Sequence, residues 1–434
     1  MRKYQQLFLL LISFLSVCIL LMYKSENNRL KYVLKYVNFF SRNDAAVLRR
    51  LDGGIGNRTM DEDKMFHLAM SRPLPVWQLI GSGGDFYAYS SYWKRNELMA
   101  GGQAHVLVVG RKGAVVDFRC SLDMVNGRQV QGKFRFQRDD GQNHDTEGAF
   151  TSYHFFCQVS RDFGQPEIVS FMDAGTKNPV KLRLRHMKTE KKSLRLLPAI
   201  VCVDLVDYNM NSTFARREDA LLQFFLIHQA LGVDYFVVYN YDELPLQLIH
   251  ILQRANIHLN GLPFNFPFTR QPSSNLTHQL IETDCQMRSF NYASFSILMK
   301  PNEIIYPSAR FVDNDGKRSL HEQLRHYDAT ETRFELATFN VCFDERKKLL
   351  MDHVQYDPEL KTNYKMLLHR LELPPPASMA TNRQVELALS KGLVHRYVDC
   401  LKVGEDGLHD WRNGIREDFM QHIDTLRNEV DLLI

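Results

Sequence analysis

Groups that could do chemistry sit in a short run directly after an apolar segment. SFSILM (294–299) leads into Lys300-Pro301-Asn302-Glu303, which sets an ammonium, an amide and a carboxylate within four residues. A carboxylate fixed at a strand end can act as a general base, provided that it reaches the proton it removes. Glu303, Asp204, Asp313 and Asp344 are the candidates, and a solvated or salt-bridged carboxylate competes with that role at each. Glu303 stands above the rest because of its place. His395 and Arg396 could reach a phosphate, Arg offering a planar fork for it. A surface helix or strand accounts for them equally well. His228 lies among apolar residues at helical spacing and fits a packed core histidine better than a catalyst. Asp313-Asn314-Asp315-Gly316 superficially suggests a calcium loop. No Glu follows at the required spacing, so it fits a turn.

The elements that would position these groups follow from hydrophobic period. LLPAIVCVDLV (196–206) is a continuous apolar run, suited to a strand buried on both faces. RREDALLQFFLIHQALG (216–232) has helical spacing and stops at Gly232. VDYFVVYN (233–240), LPLQLIHILQRAN (244–256), IHLNGLPF (257–264), LTHQLIETDCQMRSFNYA (276–293) and SFSILMK (294–300) continue the alternation of strand and helix. That order predicts βαβ units and a largely parallel sheet. Ligands then bind beyond the carboxyl ends of the strands, which fall near Asp204, Tyr239-Asn240 and Lys300–Glu303. Upstream, AHVLVVG, AVVDFRC, KFRFQ, TSYHFFCQV, EIVSFMD and VKLRLRH are β-prone runs between turn residues. The expectation is a smaller β-rich domain over 81–192 and an α/β domain over 193–434. Past 310, ELATFNVCF (335–343) predicts one more strand, LELPPPASMATNRQ (371–384) a Pro-rich loop, and 408–433 a capping helix.

The N-terminus points to the secretory pathway. Leu7–Tyr23 is an uncharged apolar stretch behind Arg2 and Lys3, at the lower limit for crossing a bilayer. A cleaved signal peptide competes with a transmembrane signal anchor. The bulky Ile19–Met22 run fits the anchor better, leaving 1–6 as a cytosolic tail, 24–80 as a stem and the rest in the lumen. Cys18 lies in the apolar stretch; Cys120, Cys157, Cys202, Cys285, Cys342 and Cys400 form an even set of disulfide candidates. Asn57, Asn211 and Asn275 open N-x-S/T glycosylation sequons. The 54 basic against 50 acidic residues give a net charge of +4, no footprint of nucleic-acid binding.

These segments together resemble glycosyltransferase family 92. REDALLQFFLIHQALGVDYFVVYN carries the acidic and aromatic helix start, the His and the LGVD…YN turn, here Glu218, Phe224 or Phe225, His228, Leu231–Asp234 and Tyr239-Asn240. DCQMRSFNYASFSILMKPNEIIYP (284–307) is similar to the family's Cys…Arg…Ala…strand segment, FYAYSSYWKRNE (86–97) to its N-terminal motif, and LVHRYVD (393–399) to a late His-Tyr-Arg motif with altered order. The resemblance covers roughly residues 85–400. It implies a GT-A fold, a UDP-sugar donor, Mn2+ on an Asp-x-Asp motif, and inverting galactose transfer to a glycan hydroxyl in the Golgi lumen. Carried onto this chain, Glu303 and Lys300 become catalytic candidates and Asp204, Asn240, Asn302 and Arg396 donor-binding ones. Trp411 could stack on the acceptor sugar, or be core. The metal motif is altered: its Asp positions fall on Lys300 and Asn302, beside Glu303. Hard cations want carboxylate oxygens, and Lys300 repels them. Three readings follow: Lys300 replaces the metal, the protein is a catalytically silent glycan-binding or partner-regulating member, or carboxylates elsewhere, such as Asp313 or Asp315, hold a cation.

Overall fold

The computed structural model describes residues 77–95, 101–139, 149–173, 179–187, 196–206, 208, 212–214, 216–264, 266–268, 273–290, 292–307, 319–327, 331–344, 346–347, 349–353, 355–356, 366–371, 381–387, 392–399 and 409–410. Pro73–Ile434 form one compact unit. The stretch Leu7–Tyr23, the expected stem up to residue 76, Asn57, Asn211, Cys400, Asp313, Asp315 and Trp411 lie outside the described residues, whereas Gln78–Ile80, at the end of that expected stem, form a strand. Among those described, no helix is long and apolar enough to cross a membrane.

Nine strands form the first sheet: β1 (Gln78–Ile80), β2 (Phe86–Arg95), β3 (Gly102–Arg111), β4 (Phe118–Met124), β5 (Gln129–Asp139), β6 (Phe150–Val159), β7 (Pro166–Asp173), β8 (Val180–Arg183) and β9 (Arg185–Met187). Their order is β1-β2-β3-β6-β5-β4-β7-β8, and β9 returns to pair with β2. Because β8 and β9 are separated by Leu184 alone, this strand pair brings the far edge back to the near one and nearly closes a barrel. Period-two alternation puts Ala104, Val106 and Val108 of β3 and Val169 and Phe171 of β7 in one apolar core. The disulfide Cys120–Cys157 links β4 to β6 across the intervening β5. That crossing explains Gly132, whose added Cβ would lie 2.3 Å from Cys157 Sγ and 3.1 Å from Cys120 Sγ. Gly132→Ala is expected to lower stability by about 1–3 kcal/mol through overpacking. Urea midpoints should show the deficit in the oxidised chain, and a smaller one when Cys120 and Cys157 are both alanine.

The second sheet holds β10 (Leu197–Asp204), β11 (Tyr235–Tyr239), β12 (His258–Leu262), β13 (Ala293–Met299), β15 (Glu331–Leu336), β18 (Met366–Arg370) and β19 (Thr381–Glu386), in the order β12-β11-β10-β13-β18-β15-β19. Helices α1 (Glu218–Ala230), α2 (Leu246–Arg254) and α3 (Ser274–Ser289) join its first four strands, and a short α4 (Leu320–Arg325) follows. The third sheet runs β14 (Glu303–Pro307), β20 (Gly392–Val398), β16 (Thr338–Cys342), β17 (Gln355–Tyr356) and β21 (His409–Asp410). Cys202 of β10 is bonded to Cys285 of α3, and Cys342 is disulfide-bonded as well.

This architecture corrects the expected fold class. The chain is mostly β, with 21 strands against four helices among the described residues, rather than an α/β GT-A-type protein built on a mostly parallel sheet. The βαβ pattern of 196–300 is real, and β10 to β13 pair in parallel. Past β13 the pairing is mixed: β18 runs antiparallel to β13 and to β15, and β14 antiparallel to β20, while β19 is parallel to β15 and β20 to β16. ELATFNVCF does not make one strand. It breaks at Ala337, so that its two halves enter different sheets. Thr381–Glu386, read as loop for its most part, is a strand, and His409–Asp410, read as the start of a helix, pairs with β17.

Candidate functional site

The carboxyl ends of four parallel strands meet in one row. Asp204 lies opposite Tyr239, Tyr239 opposite Leu262, and Val203 opposite Met299. Asp204, Asn240 and Lys300 therefore share one edge of the sheet. Asn240 leaves its strand in the left-handed region at φ 60°, a conformation that Asn tolerates better than most residues, and its N–H donates to Leu262 O at 2.8 Å. Asp204 is 1% exposed and its Oδ1 accepts the Val206 N–H at 2.9 Å.

The Lys300–Glu303 segment is a tight turn. Glu303 N–H donates to Lys300 O at 3.0 Å, and Glu303 Oε2 accepts the Lys300 N–H at 2.8 Å. Glu303 then opens β14 opposite Arg396 of β20. Its Oε1 accepts Arg396 Nε at 3.0 Å and Nη2 at 2.7 Å, with Glu303 fully buried and the Arg396 side chain 18% exposed. Both Glu303 oxygens are thus engaged, which makes it a poor acceptor for a substrate proton. Asn302 is clamped too: its Nδ2 donates to Tyr397 O at 2.7 Å, and its backbone O accepts the Tyr397 N–H at 2.8 Å. Its Oδ1 is buried and has no hydrogen-bond partner among the described residues.

These positions do not fit a divalent cation. Glu303 has no oxygen to spare, Asn302 offers one neutral oxygen, and Lys300 brings a positive charge. Among the described residues, no group of three or more His, Cys, Asp and Glu side chains could hold one.

The remaining candidates lie apart from this edge in chemical terms. His228 is fully buried; its Nδ1 donates to Phe224 O at 2.7 Å, and its Nε2 faces the Ile305 N–H at 3.5 Å. Burial pulls its pKa down to about 4. It is a core histidine that seats α1 on β14. His395 is 1% exposed, 4.4 Å from Tyr306 ring to ring, and lowered to about 3 by burial. It points away from the face on which Arg396 meets Glu303, as alternation requires. Asp344 forms hydrogen bonds with Arg346, which hold it at about 2. Asn275 is exposed in the first turn of α3.

A buried network that spacing alone does not reveal stands behind the edge. Asp284 and Arg288, one turn apart on α3, form a forked ion pair at 2.7 and 3.0 Å with side chains 0% and 1% exposed. Tyr92 Oη of β2 donates to Asp284 Oδ1 at 2.6 Å, and Tyr239 Oη of β11 donates to Oδ2 at 2.7 Å. Tyr239 immediately precedes Asn240, so the network fixes the strand end that presents the candidate site. Burial raises the Asp284 carboxyl, but the Arg288 charge and the hydrogen bonds from Tyr92 and Arg288 outweigh it and hold the group below its usual range. The sequence signal is the Asp-x-x-x-Arg spacing on α3, a helix with one buried face.

No family model matches the chain, and no curated protein does. Among solved structures, a similarity extends to amylomaltase from Corynebacterium glutamicum, at 14% identity over 44% of this chain and 26% of that one. Its TM-score of 0.13 is too low to carry an argument about fold or function.

Proposed function

We propose that the chain binds a nucleoside diphosphate sugar, such as UDP-galactose, at the carboxyl edge of β10–β13 and transfers its hexose to a glycan hydroxyl in the Golgi lumen. One observation carries this reading: Lys300 stands at the same edge as Asp204 and Asn240, where a diphosphate would otherwise need a metal. A fixed ammonium can stabilise the charge that develops on the departing diphosphate. The acceptor oxygen bonds to the sugar's anomeric carbon as the carbon–phosphate-oxygen bond breaks. The diphosphate leaves with the electron pair, and the hydroxyl proton passes to Asp204. Arg396 braces the turn through Glu303 and positions Lys300 indirectly. The disulfides agree with a secretory or extracellular location. Type II insertion in the membrane through Leu7–Tyr23 is part of the proposal.

The engagement of Glu303 by Arg396 favours a second reading, a catalytically silent protein that keeps the site for binding only. Calorimetric titration of Pro73–Ile434 with UDP and UDP-galactose, with manganese and with excess chelator, separates the two from failure. Binding that survives the chelator, with galactose transfer, supports the enzyme. Binding without turnover supports the silent protein. Binding that needs manganese, or no binding at all, overturns the Lys300 reading.

A further inference from the structure

We infer that the outer face of the barrel binds a sulfated glycan, independently of the nucleotide-sugar edge. The barrel's core-facing residues leave an outward set at alternate positions. Strand registers place Lys94 opposite Gln103, Gln103 opposite Gln158, and Gln158 opposite Lys133. Arg119 lies one residue before Cys120 and Lys133 one after Gly132, and Cys120 faces Gly132, so Arg119 extends the row. Five strands thus present Lys94, Gln103, Gln158, Lys133 and Arg119 side by side, over roughly 19 Å at about 4.8 Å per strand. Arg135, two residues past Lys133 and opposite Phe156, adds a fourth cation in the next row.

All four cations are exposed, and none has an ion-pair partner among the described residues. Two neighbouring cations, by contrast, are matched: Lys181 pairs with Asp123, and Arg95 with Asp162. The row from Lys94 to Arg119 contains no acid, and Asp117 bounds it on one side. Unmatched cations alternating with amides suit a chain that carries anionic groups and hydroxyls: Lys and Arg take sulfate or carboxylate, and Gln donates to and accepts from hydroxyls. The compartment selects among polyanions. The Cys120–Cys157 disulfide lies inside the same barrel, so this face is displayed where thiols are oxidised. Sulfated and uronate-bearing glycans are the polyanions there, whereas nucleic acid is not.

The test is calorimetric binding of a heparin hexasaccharide to the full chain over a range of sodium chloride, repeated with Arg119→Gln/Lys133→Gln/Arg135→Gln. The expected result is binding that weakens steeply with salt and falls roughly tenfold or more in the triple variant. Lys133→Arg should retain it, and Arg254→Gln on α2, an exposed charge elsewhere, should leave it unchanged. Near-ultraviolet circular dichroism checks that the triple variant is folded. Equal affinity in wild type and triple variant, an equal loss with Arg254→Gln, or absence of binding by the wild type would each overturn the proposal. So would binding to phosphatidylserine vesicles without binding to the hexasaccharide.

Discussion

Asp284→Asn should cost the folded chain about 3–5 kcal/mol, the amount typical of breaking one partner out of a buried ion pair. The change keeps the size of the side chain and a hydrogen-bonding oxygen. What it removes is the charge opposite Arg288, whose guanidinium then stays buried at 3% exposure with no anion beside it. Against a typical stability of about 5–15 kcal/mol, that loss is large. Urea denaturation followed by fluorescence would measure it. Replacing Arg288 by methionine in the same chain should recover much of the loss, because the orphaned charge leaves with it. A deficit under about 1 kcal/mol for the single change would mean that the pair contributes little. The pH dependence follows with a definite sign. The folded Asp284 sits below its ordinary value, so its contribution is complete above the unfolded carboxylate pKa near ~3.9 and fades as pH falls toward the lower folded value. Tyr92 and Tyr239 titrate far above neutrality because burial raises them, so neither adds a transition near pH 7.

The parts that sequence made legible are those governed by local period. Continuous apolar runs became β10, β11 and β13, helical spacing became α1, α2 and α3, and the turn after Met299 fell at the edge where Asp204 and Asn240 end their strands. The fold class was not legible, because past residue 300 the described chain switches from βαβ units to short strands in mixed antiparallel and parallel pairing. MLLHR and GLVHRYV carry neither clean alternation nor a long apolar run, yet they become β18 and β20. Only their partners decide it: Met366–Arg370 is buried between β13 and β15, and Gly392–Val398 between β14 and β16. The network around Asp284 was hidden for a similar reason. Its members are 192 and 45 residues apart in the chain, and an Asp-x-x-x-Arg pair on a helix ordinarily marks a solvated face. The pairing of Glu303 with Arg396 is likewise a matter of strand register across 93 residues. A carboxylate prominent by position in the sequence proves to be held through both oxygens.

Lys300→Ala should reduce galactose transfer by about 10²–10³ in kcat, the effect of removing one preorganised electrostatic contact to a developing anion. The direction follows from where the positive charge stands. Lys300 is the first residue past β13, its backbone is locked by Glu303 Oε2, and its strand is in register with the one that ends in Asp204. Alanine preserves that backbone hydrogen bond, which comes from the main chain, so the fold and the Glu303–Arg396 pair should survive. Thermal unfolding of the variant checks this. Uridine diphosphate affinity should fall alongside, since the product carries the same charge that the transition state begins to develop. Lys300→Arg should keep part of both, as it restores the charge with a different shape. If the charge acts on the leaving group, the deficit should be smaller for donors with a better leaving group, because less negative charge then needs support. An alanine variant with unchanged kcat and unchanged diphosphate affinity would remove Lys300 from the chemistry. An unchanged affinity with lost turnover would instead place its charge on the transition state alone.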